Sequence, residues 1–309
     1  MNGVLAVFPE MTALGRKIAE VAGLDLAPIE LHRFPDGECL VTLPETQLSD
    51  RDVAILATLR NPDALALALR FAAETAREFG ARSVGLAAPY LAYMRQDRRF
   101  APGQAISAPV FARYLEESFD WLVTVDPHLH RIAKLDDLFA IPCRRVVTAP
   151  VIAGWIQDNI PDAVLVGPDS ESEQWVAEVA GLARRPYEVL TKHRFGDRDV
   201  EVSIPQSAAL AGGTPVIIDD IASSGRTMIQ AVSRLLKAGS RPPVCVVIHA
   251  VFAGDAEADI IAAGAARLVT TDSIPHASND VELAVPLADA ITSLLHPAER
   301  PDDRPRAGT

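Results

Sequence analysis

The run Val216–Ile217–Ile218–Asp219–Asp220–Ile221–Ala222–Ser223–Ser224–Gly225–Arg226–Thr227 constrains the fold of this chain more than any other stretch. Three β-branched residues predict a buried parallel strand. Two carboxylates follow, then a short hydroxyl- and glycine-bearing turn, then a helix over Met228–Ala238. That order sets acids and a loop of free backbone N–H groups at the carboxyl end of a strand. Open α/β sheets bind ligands there, and helix N-termini attract phosphate there. The combination suits a sugar phosphate: carboxylates take ribose hydroxyls or a hydrated metal, and N–H groups take the phosphate. The competing reading is an ordinary strand-to-helix turn capped by serine, but two consecutive acids seldom follow a buried strand without a task.

The same alternation runs through the chain. Val4–Phe8, Val53–Ala57, Ser83–Ala88 and Trp121–Val125 read as strands, as do Ala163–Val166, Tyr187–Thr191, Val200–Ile204, Pro215–Ile218, Val244–Ile248 and Arg267–Thr270. Asn61–Pro62 starts a helix, with Asn61 as the capping side chain. Leu65, Leu69, Ala72, Ala76 and Phe79 form its apolar stripe, and Gly80 ends it. Further helices are predicted over Ala149–Asn159, Ser172–Ala183, Arg226–Ala238, Ala256–Ala263 and Leu287–Leu295. Strands alternating with helices specify the α/β class, with mainly parallel sheets flanked by helices. The pattern occurs twice without a close sequence repeat and divides near Ile141–Pro150. The expected organisation is therefore two tandem domains, 1–145 and 146–295, with a Pro-, Arg- and Asp-rich tail over 296–309 expected to be disordered.

The chain has 309 residues, 49% of them hydrophobic, enough for two cores. Its formal net charge of −12 argues against broad nucleic-acid or anionic-membrane binding, though not against small anions held by a local basic pocket or Mg²⁺. Cys39, Cys143 and Cys245 are far apart, form no CxxC pair, and fit small buried thiols in a reducing compartment. Met1–Pro9 shows no secretory pattern and no apolar run has membrane-spanning length, so a cytoplasmic protein is expected.

Five more segments carry candidate chemistry. Phe34–Pro35–Asp36–Gly37–Glu38 reads either as a surface turn or as a base site, with Phe34 stacking and Asp36 and Glu38 accepting hydrogen bonds. Arg95–Gln96–Asp97–Arg98–Arg99, just past a buried strand, is either a solvated charge run or a polyphosphate clamp, since guanidinium offers paired donors to phosphate. Phe100–Gln104 after it reads as a mobile loop able to close over a ligand. In Asp126–Pro127–His128–Leu129–His130, His128 and Asp126 are placed to hold a divalent ion or orient phosphates. No further zinc ligands are spaced for that metal, so Mg²⁺ is favoured, and His130 reads as part of a hydrogen-bonded turn. Lys192 and Arg194 open a hairpin, Lys192–Asp199, as either a basic surface or cations that stabilise a transferring phosphoryl group. Gly167–Pro168–Asp169 ends another strand and opens a helix.

In this order, FPDGE (Phe34–Glu38), RQDRR (Arg95–Arg99), ISA (Ile106–Ala108), DPH (Asp126–His128), GPD (Gly167–Asp169), KHR (Lys192–Arg194) and IIDDIASSGRT (Ile217–Thr227) resemble the ribose-phosphate pyrophosphokinase family. The resemblance implies two phosphoribosyltransferase-type domains with the active site between them. It implies transfer of the β,γ-diphosphoryl group of ATP to the 1-hydroxyl of ribose 5-phosphate, leaving AMP. By position, Phe34, Asp36 and Glu38 match the adenine site, presented to a neighbouring subunit of a homo-oligomer (dimer or higher). Arg95, Gln96, Asp97 and Arg98 match the ATP ribose and phosphate site. His128 matches the Mg²⁺ ligand, and Asp169 the acid contacting ribose 5-phosphate and its metal. Asp219 and Asp220 match the ribose-hydroxyl acids, and Ser223, Ser224, Gly225, Arg226 and Thr227 the 5-phosphate loop. Lys192 and Arg194 match the catalytic cations.

This chain departs from the pattern in three places. Ser170, Glu171, Ser172 and Glu173 stand where small residues are usual, Arg226 stands where glycine is common, and Pro109 follows ISA where lysine is frequent. Two rival functions share part of this pattern. A phosphoribosyltransferase shares the acid–acid–loop motif but is about one domain long and has no use for FPDGE, RQDRR or KHR. A non-catalytic regulatory subunit would have lost the cations or acids, all of which are present here.

Overall fold

The structure is a computed structural model that describes residues 3–129, 131–132, 134–195, 199–203, 210 and 212–295, with the backbone alone at 171, 191–195 and 199–203. The chain divides into two compact units: 1–146 together with the final helix, and 147–283.

In the first unit, β1 (Gly3–Val7), β2 (Asp25–Pro28), β5 (Asp52–Leu56), β6 (Ser83–Ala88), β7 (Leu122–Val125) and β8 (Cys143–Val146) form one sheet in the order β2-β1-β5-β6-β7-β8. Every pairing is parallel. The central strands are buried along their whole length, which is why they read as continuous apolar runs rather than alternating ones. Between β2 and β5 the chain makes an antiparallel hairpin, β3 (Glu30–Arg33) and β4 (Cys39–Thr42). The helices α1 (Thr12–Ala22), α2 (Pro62–Glu78) and α3 (Ser107–Glu116) complete this part. α2 follows the predicted pattern. Pro62 stands at its first position, Leu65, Leu69, Ala72 and Ala76 are buried, and Gly80 takes φ 85° just beyond its end. Asn61 precedes it as expected, but its side chain makes no capping hydrogen bond.

The second unit repeats this plan. β9 (Ala163–Gly167), β10 (Tyr187–Val189), β13 (Thr214–Ile221), β14 (Val244–His249), β15 (Arg267–Thr271) and β16 (Asn279–Val281) form a parallel sheet ordered β10-β9-β13-β14-β15-β16. An antiparallel hairpin, β11 (Thr191–Phe195) and β12 (Asp199–Ser203), again separates the second sheet strand from the third. Helices α4 (Ala149–Asn159), α5 (Glu173–Ala183), α6 (Arg226–Lys237) and α7 (Ala256–Ala262) flank it. Both sheets thus run second-first-third-fourth-fifth-sixth, so in both the second strand is added on one side of the first and the third on the other. A duplicated architecture survives where sequence similarity does not, because burial constrains only apolar pattern and length.

Two expectations need correction. The predicted strand Pro215–Ile218 continues through Ile221, so Asp219 and Asp220 lie within the strand just before its last residue rather than immediately after it. The final helix, α8 (Ala284–Leu295), expected from chain order in the second domain, belongs to the first unit, where it contacts α1 and β5–β8. Its buried stripe, Leu287, Ala288, Ile291 and Leu295, covers a face of the first sheet. Chain order does not decide which face an amphipathic helix covers. The predicted tail 296–309, His130 and the hairpin tip 196–198 lie outside the described residues.

Candidate active site

In the second unit, β13 delivers the two acids and then turns sharply into α6. Gly225 sits at the start of the helix with φ 68°, a left-handed conformation that glycine adopts without penalty. A Cβ there would lie 3.2 Å from Ile260 Cδ1 and Cγ1 and 3.4 Å from the Ala256 carbonyl oxygen. The turn is braced from the next strand. The Ala222 N–H donates to the His249 carbonyl at 3.4 Å, and the Ala253 N–H donates to the Ser223 carbonyl at 3.0 Å. His249 is buried and its Nδ1 lies 2.9 Å from the Ser273 hydroxyl. α6 buries Met228, Ala231, Val232 and Leu235 and leaves Ser224, Arg226 and Thr227 exposed at its mouth. No side chain caps this helix, so its first N–H groups are available to an anion.

Asp169 lies two residues beyond β9, which is beside β13 in the sheet. Ser172 shapes that turn: its hydroxyl donates to the Asp169 carbonyl at 2.6 Å, and its N–H donates to Asp169 Oδ1 at 3.3 Å. Ser170–Ser172 form a short 3₁₀ turn, and the exposed Glu173 opens α5, where a negative charge suits the helix N-terminus. Burial raises the proton affinity of Asp219 well above the ordinary carboxylate range. The neighbouring charges of Asp220 and Asp169 push it further the same way. A buried carboxylate beside two others forms a site suited to a cation and hydroxyl donors. Among the described residues no three His, Cys, Asp or Glu side chains are close enough to enclose a metal by themselves.

In the first unit the carboxyl ends of β6 and β7 carry RQDRR and DPH. The two segments touch: Arg131 Nη1 donates to both Asp97 oxygens, at 3.1 and 3.2 Å, and only 4% of the Asp97 side chain is exposed. Arg95 and Arg98 are exposed, the Arg98 guanidinium lying 5.0 Å from the Phe100 ring centre. Gln96 Oε1 accepts from the Ser107 hydroxyl at 2.6 Å, which ties the segment to the start of α3. The loop after it is closed by Gln104, whose Oε1 accepts from the N–H groups of Phe100 and Ala101.

Asp126 has φ 28°, uncommon for a non-glycine residue and costing about 1–3 kcal/mol unless the surroundings enforce it. They do: Arg145 donates to Asp126 Oδ1 through Nε at 2.8 Å and Nη2 at 2.6 Å, and the Asp126 N–H donates to the Val146 carbonyl at 3.0 Å. His128 follows, half-buried. The Phe34–Glu38 segment is the tip of the β3–β4 hairpin. Its Phe34 and Glu38 backbones pair, Asp36 Oδ1 accepts the Glu38 N–H at 3.1 Å, and the exposed Phe34 ring packs edge-on against His32 at 4.7 Å.

The structure therefore brings Asp169, Asp219, Asp220 and the 223–227 turn to one sheet edge, and Arg95–Arg98 and His128 to the corresponding edge of the other unit. Lys192 and Arg194 are described by backbone only, at alternate positions of β11 opposite Val202 and Val200. Sequence reasoning missed Arg131, Arg145 and His249, whose partners are distant along the chain, and the local turn that Ser172 makes with Asp169.

Comparison with known proteins decides the family. Residues 4–118 match the signature described as the N-terminal domain of ribose phosphate pyrophosphokinase, and residues 148–286 match the phosphoribosyl transferase domain. The chain is 33% identical over 288 residues to the ribose-phosphate pyrophosphokinase of Methanopyrus kandleri, covering 92% of this chain and 97% of that one. The chain belongs to the ribose-phosphate pyrophosphokinase family. The ribose-phosphate pyrophosphokinase of Methanothermobacter thermautotrophicus is 30% identical, over 90% of this chain and 96% of that one. Membership makes the chain an enzyme of phosphoribosyl pyrophosphate synthesis, a transferase of nucleotide biosynthesis. Its fold matches the crystal structure of phosphoribosylpyrophosphate synthetase from Mycobacterium smegmatis with a TM-score of 0.83 at 21% identity, over 96% of this chain and all of that one. Among the described residues, no helix of this chain is long and apolar enough to cross a membrane.

Proposed function

We propose that the chain transfers the intact β,γ-diphosphoryl group of ATP to the 1-hydroxyl of ribose 5-phosphate, giving phosphoribosyl pyrophosphate and AMP. The observation that carries this reading is the placement of Asp219, Asp220 and Asp169 beside an uncapped helix N-terminus opened by a left-handed glycine. A ligand with hydroxyls at one end and a phosphate at the other satisfies both halves of that site. Asp219 and Asp220 accept the ribose hydroxyls. The turn N–H groups, with Ser223, Ser224, Thr227 and the Arg226 guanidinium, take the 5-phosphate. Arg95, Gln96, Asp97 and Arg98 orient the ATP ribose and phosphates. Phe34, Asp36 and Glu38 form an adenine site presented to a neighbouring subunit, which the exposed hairpin tip permits.

We assign Mg²⁺ to Asp169 in the second unit and to His128 in the first; when bound it would neutralise the polyphosphate charge. Phosphoryl transfer depends mainly on positioning and charge neutralisation, so Lys192 and Arg194 are assigned to the charge on the transferring group. We place the enzyme in the cytoplasm, with no nucleic-acid or membrane partner, consistent with its net charge of −12. The test is to incubate the purified chain with ATP and Mg²⁺, with and without ribose 5-phosphate. AMP that forms only with the sugar phosphate supports the reading, and ADP as the product would replace it with an ordinary kinase.

A further inference from the structure

The segment that carries His128 is anchored at both ends by arginines that no motif contains. At one end Arg145 reaches from β8, where it stands opposite Thr124 of β7, and places Nε and Nη2 on Asp126 Oδ1 at 2.8 and 2.6 Å. At the other end Arg131 grips both oxygens of Asp97 in the RQDRR segment. Both carboxylates are nearly inaccessible, 5% exposed at Asp126 and 4% at Asp97, whereas both arginines are about half exposed. An exposed ion pair holds little. A two-point guanidinium contact on a buried carboxylate, at a residue with φ 28°, fixes a backbone position.

We propose that Arg145 is a positioning residue of the reaction: by holding Asp126 it sets the place of Pro127–His128, in a segment that Arg131 joins at its other end to Asp97 of the Arg95–Arg98 run. The role in the reaction rests on the function proposed above, in which His128 serves the metal-bound phosphates of ATP. The grip itself does not. Asp126, which the sequence offers as a metal-ligand candidate, has its carboxylate engaged by Arg145. Its part is to shape the turn that presents His128.

The test compares wild type with Arg145→Met, which keeps an unbranched stem without the guanidinium, and Arg145→Lys, which keeps charge without the two-point grip. Backbone hydrogen exchange of the protein without ligands reads the grip directly. Arg145→Met should speed exchange over 126–132 about tenfold and leave the second unit unchanged, with Arg145→Lys between. In AMP release, the Mg²⁺ concentration for half-maximal rate should rise about tenfold, while the KM for ribose 5-phosphate stays within about twofold. Unchanged exchange over 126–132 in Arg145→Met overturns the proposal. So does faster exchange spread over the whole chain, or equal rises in the Mg²⁺ requirement and the sugar-phosphate KM. A wild type that releases no AMP would instead sink the proposed function, with the exchange experiment still deciding the anchor.

Discussion

Replacing Gly225 with alanine tests the phosphate turn at the point where sequence, backbone and chemistry meet. A non-glycine residue in the left-handed region costs about 1–2 kcal/mol. The new methyl would also press on Ile260 Cδ1 and Cγ1 at 3.2 Å. That crowding adds about 1 kcal/mol, the low end for overpacking, because an isoleucine tip can shift but the Ala256 carbonyl behind it at 3.4 Å cannot easily do so. The total, about 2–3 kcal/mol, has two outlets. If the turn keeps its shape, the strain lowers stability, and melting should fall by roughly 4–12 °C. If the turn relaxes, its N–H groups leave the phosphate, and the KM for ribose 5-phosphate should rise roughly 30–150-fold. Thermal unfolding and sugar-phosphate titration of the same preparation read both. A Gly225→Ala protein that melts and binds like wild type would show that neither the left-handed backbone nor the Ile260 contact matters.

Asp219→Asn should stabilise the fold while abolishing AMP formation. The folded chain holds the Asp219 proton more tightly than the unfolded one, so wild-type stability falls as pH rises from the ordinary carboxylate range, near 4, through the raised folded value. The asparagine variant should lose that part of the slope and melt higher at neutral pH; equal melting curves across the window would refute the charge argument. Lys192→Ala should reduce turnover roughly 10²–10³-fold with ribose 5-phosphate affinity nearly unchanged, so near-normal turnover removes its role. Phe34→Ala should raise the KM for ATP by roughly tenfold, the loss of one stacked base, without altering melting; an unchanged ATP KM would return the hairpin tip to the status of a surface turn.

Much of this molecule is legible from residue order. The β-branched runs, the Pro62-to-Gly80 helix and the acid–acid–hydroxyl–glycine turn announce themselves because buried strands, helix ends and left-handed turns each accept few residue types. Local chemistry near a strand end also identifies Asp169, Asp219, Asp220 and the 223–227 turn. Pairings between distant segments are another matter. Arg145 looks like any charged residue of an edge strand until β8 is laid against β7, and Arg131 has no visible purpose until Asp97 lies beside it. α8 carries an apolar stripe that states that it must be covered, but not by which sheet. Local sequence fixes backbone preference and apolar period, properties of a few neighbouring residues. Which carboxylates oppose one another, which arginine holds which turn, and which unit a helix completes depend on contacts that exist only once the sheets have formed.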